Sequence, residues 1–145
     1  MKYFPLFVDL RDRRVLVVGG GTVAARKVAL LLAAGARVQL VARAVGEGLA
    51  PSIAAGTVTH VATAFDPAQL DEAWFVIAAT DDHATNVAVA AAAALRRIPA
   101  NVVDDRALST AILPSMIDRS PVQVAISTGG ASPVFARHLR ERLEA

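Results

Sequence analysis

A glycine-rich turn between two apolar segments carries the residues whose spacing indicates binding chemistry. The β-branched run Val15–Val18 is followed at once by Gly19, Gly20 and Gly21. Glycine lets the backbone turn tightly and approach a ligand closely, because no Cβ stands in the way. The spacing Gly19-x-Gly21-x-x-Ala24 matches the dinucleotide-binding fingerprint, in which free N–H groups at the start of a helix meet a pyrophosphate. The alternative interpretation is a glycine turn that only joins a strand to a helix.

The segments around this turn follow the order that the fingerprint requires. Val15–Val18 is too short for an independent helix and predicts a buried strand. The apolar spacing of Val23–Leu32 predicts a helix that stops before Gly35, and Val38–Val41 predicts a second strand. Together they form a βαβ unit. The residues of the turn that are predicted to contact a cofactor are Gly19, Gly21, Thr22 and Val23.

The end of the second strand lacks the acidic residue that usually holds a ribose 2′-hydroxyl. Ala42 and Arg43 stand there instead, followed by Ala44. An arginine at this place can accept a 2′-phosphate, which would favour NADP, or stack on the adenine, or remain a solvated loop residue. Arg43 and Ala44 are therefore predicted cofactor contacts, and this position leaves the choice between NAD and NADP open.

Further strands and helices alternate along the chain. The predicted strands are 57–62, 74–79 and 100–103, and the predicted helical segments are 45–55, 68–72 and 86–97. This alternation predicts an α/β fold with a Rossmann-type doubly wound parallel sheet, whose ligands bind at the carboxyl ends of the strands. Thr80, Asp81 and Asp104 follow two of these strands. We predict that Thr80 and Asp81 contact the cofactor and that Asp82 or Thr85 caps the next helix.

The pattern changes near the end of the chain. Residues 111–117 and 122–127 predict a strand pair, and an isolated hairpin is only marginally stable in water, so a second copy of the chain is expected to cover it. Ser132 as N-cap and Pro133 at the first helical position predict a final helix to Leu143. The start of this helix is either a second anion site or a simple turn. Residues 1–12 are expected to pack as an extended segment on the sheet edge.

The composition restricts the class of protein. With 145 residues, the chain can bury one core, and much of its 54% hydrophobic content is alanine. It has no cysteine, which excludes disulfides and thiolate catalysis. The net charge of +2 comes without basic runs, so acidic small molecules are the expected partners and nucleic acid is not. Since no apolar run reaches membrane-spanning length and no signal peptide is recognisable, we expect a cytoplasmic protein without a membrane partner.

Four blocks of the sequence closely resemble one known family. They are GGGTVAARKVALLLAAGARV (19–38), AATDD (78–82), NVVD (101–104) and LPSMIDRSPVQVAISTGGASPVFARHLRERLE (113–144). They resemble the amino-terminal module of siroheme synthase, which is the precorrin-2 dehydrogenase and sirohydrochlorin ferrochelatase family. The resemblance covers nearly the whole chain, and the last block is more specific than any nucleotide-binding fingerprint.

The resemblance implies two reactions in one cleft. NAD accepts a hydride from precorrin-2 while a proton leaves, and ferrous iron then enters the product, sirohydrochlorin, as a substrate. Asp104 matches the aspartate of the family's NVVD motif and follows a predicted strand, so it is the implied general base, with capping of the following loop as its alternative role. The implied substrate-binding residues are Asn101, Arg119, Ser127, Thr128, Gly129 and Arg137, and ion pairing is the alternative role of the two arginines.

The family also implies an assembly and a division of the chain. A homodimer is expected, in which the region from Leu113 onward crosses between subunits. The division is an NAD-binding domain, 1–112, and a dimerisation region, 113–145. Family members usually continue into a further helical region that helps to enclose the tetrapyrrole, and this sequence ends at Ala145 without it. The sequence is either a piece of a longer chain or a short version with an incomplete cleft.

No permanent metal site is expected, because the three histidines have no ligand spacing; they are His60, His83 and His138. His60 itself is interpreted as a surface or core filler. Two other functions compete with the enzyme. One is a non-catalytic Rossmann module that senses NAD(H), and the other is an ordinary dehydrogenase of a small substrate, for which the chain lacks a separate substrate domain.

Overall fold

The computed structural model describes every residue, Met1–Ala145, and the internal contacts divide the chain into two compact units. The first, here called the sheet unit, is Val8–Ala111. The second, the hairpin unit, combines Met1–Phe7 with Ile112–Ala145. The prediction that residues 1–12 pack on the sheet edge is therefore wrong for Met1–Phe7. Of the predicted interval 1–112, the sheet unit holds Val8–Ala111, while Met1–Phe7 and Ile112 belong to the hairpin unit.

The sheet unit contains five strands, three helices and one 3₁₀ turn. The strands are β1 (Arg14–Val18), β2 (Arg37–Val41), β3 (Val58–Ala62), β4 (Phe75–Ala78) and β5 (Ala100–Val102). The helices are α1 (Thr22–Ala33), α2 (Ala50–Ala54) and α3 (His83–Leu95), and Pro67–Leu70 forms the 3₁₀ turn. No helix of the protein has the length and apolar character needed to cross a membrane.

The five strands form one parallel sheet in the order β3-β2-β1-β4-β5. The chain builds outward from β1 to β3, returns, and adds β4 and β5 on the other side of β1. The order therefore reverses between β1 and β4, and in such sheets the crevice at the carboxyl ends of these two strands is where ligands bind. The predicted doubly wound α/β fold is confirmed.

The central strands are apolar on both faces because helices cover both faces of a parallel sheet. Leu16 and Val76 are fully buried, and they belong to one cluster with Val89, Ala92 and Ala93 of α3. The alanines of α3 let this helix approach the sheet closely. Such a rigid sheet fixes the positions at which its carboxyl-terminal loops begin.

Several elements of the sheet unit differ from their predicted bounds, and three of the differences have a visible cause or consequence. Helix α3 begins at His83 rather than at residue 86, because Asp82 caps it. Helix α2 covers only 50–54 of the predicted 45–55, since the Gly46 N–H bonds to the Gly20 carbonyl at 2.8 Å. Trp74 precedes β4 and stays 48% exposed, with the Arg13 guanidinium 4.3 Å from its ring centroid.

The hairpin unit consists of an antiparallel strand pair and one helix. Strand β6 (Ser115–Arg119) pairs with β7 (Val122–Ile126), and α4 (Pro133–Glu144) follows. The predicted N-cap Ser132 is confirmed, because its hydroxyl oxygen accepts the Phe135 N–H at 3.2 Å. Strand β6 starts later than the predicted residue 111, whose N–H bonds to the Ala100 carbonyl within the sheet unit.

Candidate functional site

The glycine turn after β1 contains two glycines that packing requires and one that it does not. Gly19 has a φ of +125°, and a Cβ there would collide with the Ala79 carbonyl oxygen. A Cβ on Gly20 would collide with the Ala44 carbonyl oxygen. Gly21 has an ordinary φ of −88°, and a Cβ there would meet no protein atom within 4 Å. The protein itself therefore leaves open space beside Gly21, where the fingerprint brings the backbone close to a pyrophosphate.

The helix that starts at this turn is the one long helix whose amino terminus has no side-chain cap. Asp82 caps α3 by accepting the Ala84 N–H, and Ser132 caps α4. The N-cap of α1 is Gly21, which has no side chain to offer, and the first turn of α1 contains no acidic residue. Its first N–H groups and the positive end of its dipole are thus available to an anion. Thr22 and Val23, both predicted contacts, begin this helix.

The loop after β2 lies against the glycine turn. The Gly46 N–H donates to the Gly20 carbonyl at 2.8 Å, and the Ala44 carbonyl occupies the space beside the Gly20 Cα. Arg43 is exposed, and its positive charge acts on Asp82 in the loop after β4. The structure therefore brings together the predicted residues of the β1, β2 and β4 loops at one end of the sheet.

Asn86 is a residue of this site that sequence reasoning missed. It is the one buried polar side chain of the protein, at 8% exposure. Its Oδ1 accepts the Thr80 hydroxyl at 2.6 Å, and its Nδ2 donates to the Thr80 carbonyl at 3.0 Å. The available signal was a polar residue at the helical spacing of Val89 and Ala93, on the face that α3 buries. Asn86 thereby fixes the loop that carries Thr80 and Asp81.

The ionised carboxylate of Asp82 stabilises the loop after β4, and this stabilisation depends on pH. Its pKa is lowered from 3.8, first by the Thr85 hydroxyl that donates to it at 2.6 Å and further by the Ala84 and Thr85 N–H groups and the Arg43 charge. A carboxyl group with a lowered folded-state pKa stabilises the fold above its unfolded-state pKa and loses this effect as the pH falls through the folded-state pKa.

We therefore expect Asp82→Asn to be less stable than the wild type at neutral pH, with the difference shrinking as the pH falls below 3.8. Asparagine can still cap α3, so the substitution removes mainly the charge. Urea unfolding at a series of pH values measures the difference. Asp81→Asn is the control, because the Asp81 carboxylate makes no hydrogen bond. A difference that is constant with pH would contradict the expectation.

Asp104, the predicted general base, lies on an exposed turn directly after β5. Its backbone has a φ of +61°, a left-handed conformation that aspartate and asparagine tolerate better than most residues. The predicted strand 100–103 ends one residue early, at Val102, and the turn begins there. Asp12, Glu72 and Arg97 have a similar φ in other turns, so the place of Asp104 directly after β5, and not its backbone conformation, distinguishes it.

The segment after this turn folds back along β5 and holds the turn closed. The Ser109 hydroxyl oxygen accepts the Val102 N–H at 2.9 Å and donates to the Asp105 carbonyl at 2.8 Å. The Asp105 carboxylate accepts the Leu108 N–H at 3.1 Å. Asp105, not Asp104, is thus the residue that caps this loop, and the carboxylate of Asp104 is exposed.

The predicted substrate-binding residues are distributed over both units. In the sheet unit, the Asn101 amide donates to the Ala111 carbonyl at 3.1 Å. In the hairpin unit, the Ser127 hydroxyl oxygen accepts the Gly129 N–H and that of Thr128 accepts the Ser132 N–H, both at 3.0 Å. These two hydroxyl groups still have a hydrogen to donate to a ligand.

The two predicted arginines of the hairpin unit differ from each other. Arg119 lies 3.9 Å from the Glu144 carboxylate, so the ion-pair alternative applies to it. Arg137 is exposed and has no ion-pair partner. No group of three or more His, Asp or Glu side chains is arranged to hold a metal ion.

Comparison with known proteins agrees with this geometry. Residues 6–115 match the family described as "Putative NAD(P)-binding", and residues 119–145 match the one described as "Sirohaem biosynthesis protein central". The chain is 54% identical over 144 residues to a siroheme synthase of Methylobacillus flagellatus and 55% identical over 144 residues to siroheme synthase 1 of Pectobacterium atrosepticum. These alignments cover 99% of the chain and 31% and 30% of the relatives, so the chain spans less than a third of their length.

A solved structure named "SirC, precorrin-2 dehydrogenase" is similar over nearly the whole chain. The TM-score is 0.80 at 29% sequence identity, and the match covers 98% of this chain and 70% of that one. The chain therefore belongs to the NAD(P)-binding family that matches residues 6–115, and it corresponds to the amino-terminal region of siroheme synthases.

Proposed function

We propose that this chain catalyses the NAD-dependent dehydrogenation of precorrin-2 to sirohydrochlorin. The observation that carries the proposal is the similarity, over 98% of the chain, to a structure named a precorrin-2 dehydrogenase. The local geometry supports it, because Gly21 leaves room for a pyrophosphate and the helix behind it is uncapped. The residues present therefore fit an NAD cofactor at the crevice between β1 and β4.

Each loop at this crevice has a proposed part in holding the nucleotide. The N–H groups of Thr22 and Val23 bind the pyrophosphate, next to Gly19 and Gly21. Arg43 and Ala44 contact the adenosine end. Thr80 and Asp81, held by Asn86, line the β4 side. Bound NAD supplies the hydride acceptor.

Asp104 is the proposed general base of the reaction. Loss of a hydride from precorrin-2 is balanced by loss of a proton, and an exposed carboxylate can accept that proton. Two observations support this role. The turn that carries Asp104 follows β5 at the same carboxyl end of the parallel sheet as the glycine turn. Asp105 already caps the loop after β5, so Asp104 is not needed for that purpose. The substrate carries several carboxylates, so we assign their binding to Asn101, Arg119, Ser127, Thr128, Gly129 and Arg137.

The second step of the proposal is iron insertion. Ferrous iron is a substrate here, bound by the four nitrogens of the macrocycle while two pyrrole protons leave. Asp104 is the proposed acceptor of these protons also, taking them one at a time and passing each to solvent before it accepts the next. The cytoplasmic location stays a prediction.

One experiment tests the function. The purified chain is incubated with precorrin-2 and either NAD or NADP, and both the absorbance of the reduced nicotinamide and the macrocycle spectrum are followed before ferrous ion is added. We expect reduction of NAD coupled to formation of sirohydrochlorin. Nucleotide binding without any change in precorrin-2 would favour an NAD(H)-sensing module instead.

We propose in addition that the hairpin unit forms a homodimer. Its own core is small, with Ile117 and Ala136 as its buried residues, while Phe135 is 53% and Leu143 62% exposed. These two side chains and Ile126 line an open apolar groove along α4. A strand pair with one helix needs more apolar burial than this to be stable, and a second copy supplies it.

Phe135→Asp is expected to convert the dimer into a monomer, because a carboxylate cannot be buried in an apolar contact without a large cost. Light scattering coupled to gel filtration measures the mass. Arg137→Asp, at another exposed position of the same helix, is the control for added negative charge. A wild-type chain that is monomeric at micromolar concentration would refute the proposal.

A further inference from the structure

We infer that His60 is a positioning residue for the nucleotide, which it affects through the backbone of the loop that carries Arg43. The inference rests on the proposed function. It replaces the interpretation of His60 as a filler. The imidazole Nε2 of His60 lies 2.8 Å from the carbonyl oxygen of Ala42. Because a carbonyl oxygen only accepts hydrogen bonds, Nε2 carries the proton and donates it.

A bulge in the edge strand β3 adds a second hydrogen bond to the same residue, and we call the two bonds between Ala42 and β3 the clamp. Leu40 of β2 lies opposite His60, and the next residue, Val41, lies opposite Ala62, so Val61 is the extra residue. Such bulges redirect side chains next to functional sites. The Ala62 carbonyl then accepts the Ala42 N–H at 3.1 Å. Both backbone polar groups of Ala42 are thus held by β3.

Ala42 needs both partners because it is buried, at 4% exposure. If the imidazole of the exposed His60 were removed, the Ala42 carbonyl oxygen would exchange a fixed donor for mobile solvent, and this end of the loop would be held less firmly. The clamp therefore fixes the backbone position of Ala42, the first residue after β2. The residue that follows immediately is Arg43.

The other end of this loop is attached to the glycine turn. The Gly46 N–H bonds to the Gly20 carbonyl, and the Ala44 carbonyl lies against the Gly20 Cα. Arg43 therefore lies between two backbone positions that are held by hydrogen bonds. One is the Ala42 carbonyl, bound by His60 of β3, and the other is the Gly46 N–H, bound by the Gly20 carbonyl beside the proposed pyrophosphate position. Only the bond from His60 comes from a side chain, so it is the one that a substitution can remove without disturbing the glycine turn.

The test measures nucleotide binding directly, by calorimetric titration of the full chain with NAD and with ADP-ribose, which is NAD without its nicotinamide. For His60→Ala we expect affinity for both ligands to fall roughly three- to tenfold, the effect of one lost hydrogen bond. His60→Gln can present a donor at the same reach and is expected to restore most of the affinity. Thr59→Ala, on the opposite face of β3 and without a side-chain hydrogen bond, should bind as the wild type does.

When the reduction of NAD by precorrin-2 is followed as described above, the KM for NAD should rise for His60→Ala while kcat stays near the wild-type value. Equal affinities of His60→Ala and wild type would overturn the inference. It would also be overturned if His60→Gln were as weak as His60→Ala, since the imidazole would then act by direct contact. A wild-type chain that binds neither ligand would instead overturn the proposed nucleotide site itself.

Discussion

Gly21→Ala is expected to lose NAD binding by at least tenfold, about 1.4 kcal/mol, while the protein remains folded. The added methyl group meets no protein atom within 4 Å, and the φ of −88° is ordinary for alanine. The weaker N-cap and the stiffer unfolded chain nearly cancel, so the free energy of unfolding should change by less than about 1 kcal/mol. The methyl group instead fills the space through which a pyrophosphate approaches the first N–H groups of α1.

The neighbouring glycines are the matched controls for this substitution. Gly19→Ala forces a φ of +125° on alanine and a collision with the Ala79 carbonyl, and it should cost more than about 2 kcal/mol of stability. Gly20→Ala collides with the Ala44 carbonyl and should also be destabilised. Urea unfolding and NAD titration of all three variants separate the two effects. Unchanged NAD affinity in Gly21→Ala would show that this turn is only a connection between strand and helix.

The sequence predicts the sheet unit well because its signals are local. A β-branched run such as Val15–Val18, a glycine turn and an apolar helix specify one another over short distances, and the predicted order of elements is confirmed. The errors occur where a single side chain decides a boundary. Asp82 extends α3 toward its amino terminus, and the glycines at 46 and 48 precede a much shortened α2.

The parts that could not be predicted depend on contacts between residues far apart in the chain. His60 and Ala42 meet across a bulge whose position no local pattern reveals. The spacing of Asn86 places it on the buried face of α3, but the sequence does not show that its partner is Thr80. The grouping of Met1–Phe7 with the hairpin unit likewise follows from tertiary packing, since its aromatic residues are compatible with either unit.

Asp104→Asn is expected to lower kcat for precorrin-2 dehydrogenation by about 10²–10⁴, the usual contribution of a general base. Asparagine has nearly the shape of aspartate and tolerates the φ of +61°, so the turn after β5 should keep its conformation. NAD affinity should not change, because Asp104 is not among the residues that we assign to the nucleotide. Asp104→Ala is a poorer test, since alanine at this φ adds strain of about 1 kcal/mol to the loss of the carboxylate.

Asp105→Asn provides the comparison that isolates the chemistry. Its amide oxygen can still accept the Leu108 N–H, so the loop remains capped while one negative charge is removed from the same turn. We expect this variant to retain most of the wild-type kcat. If Asp104→Asn and Asp105→Asn were equally active, the proton would have to leave to solvent or to another group. If both were equally impaired, the negative potential of the turn, rather than proton transfer to one carboxylate, would be the property on which the reaction depends.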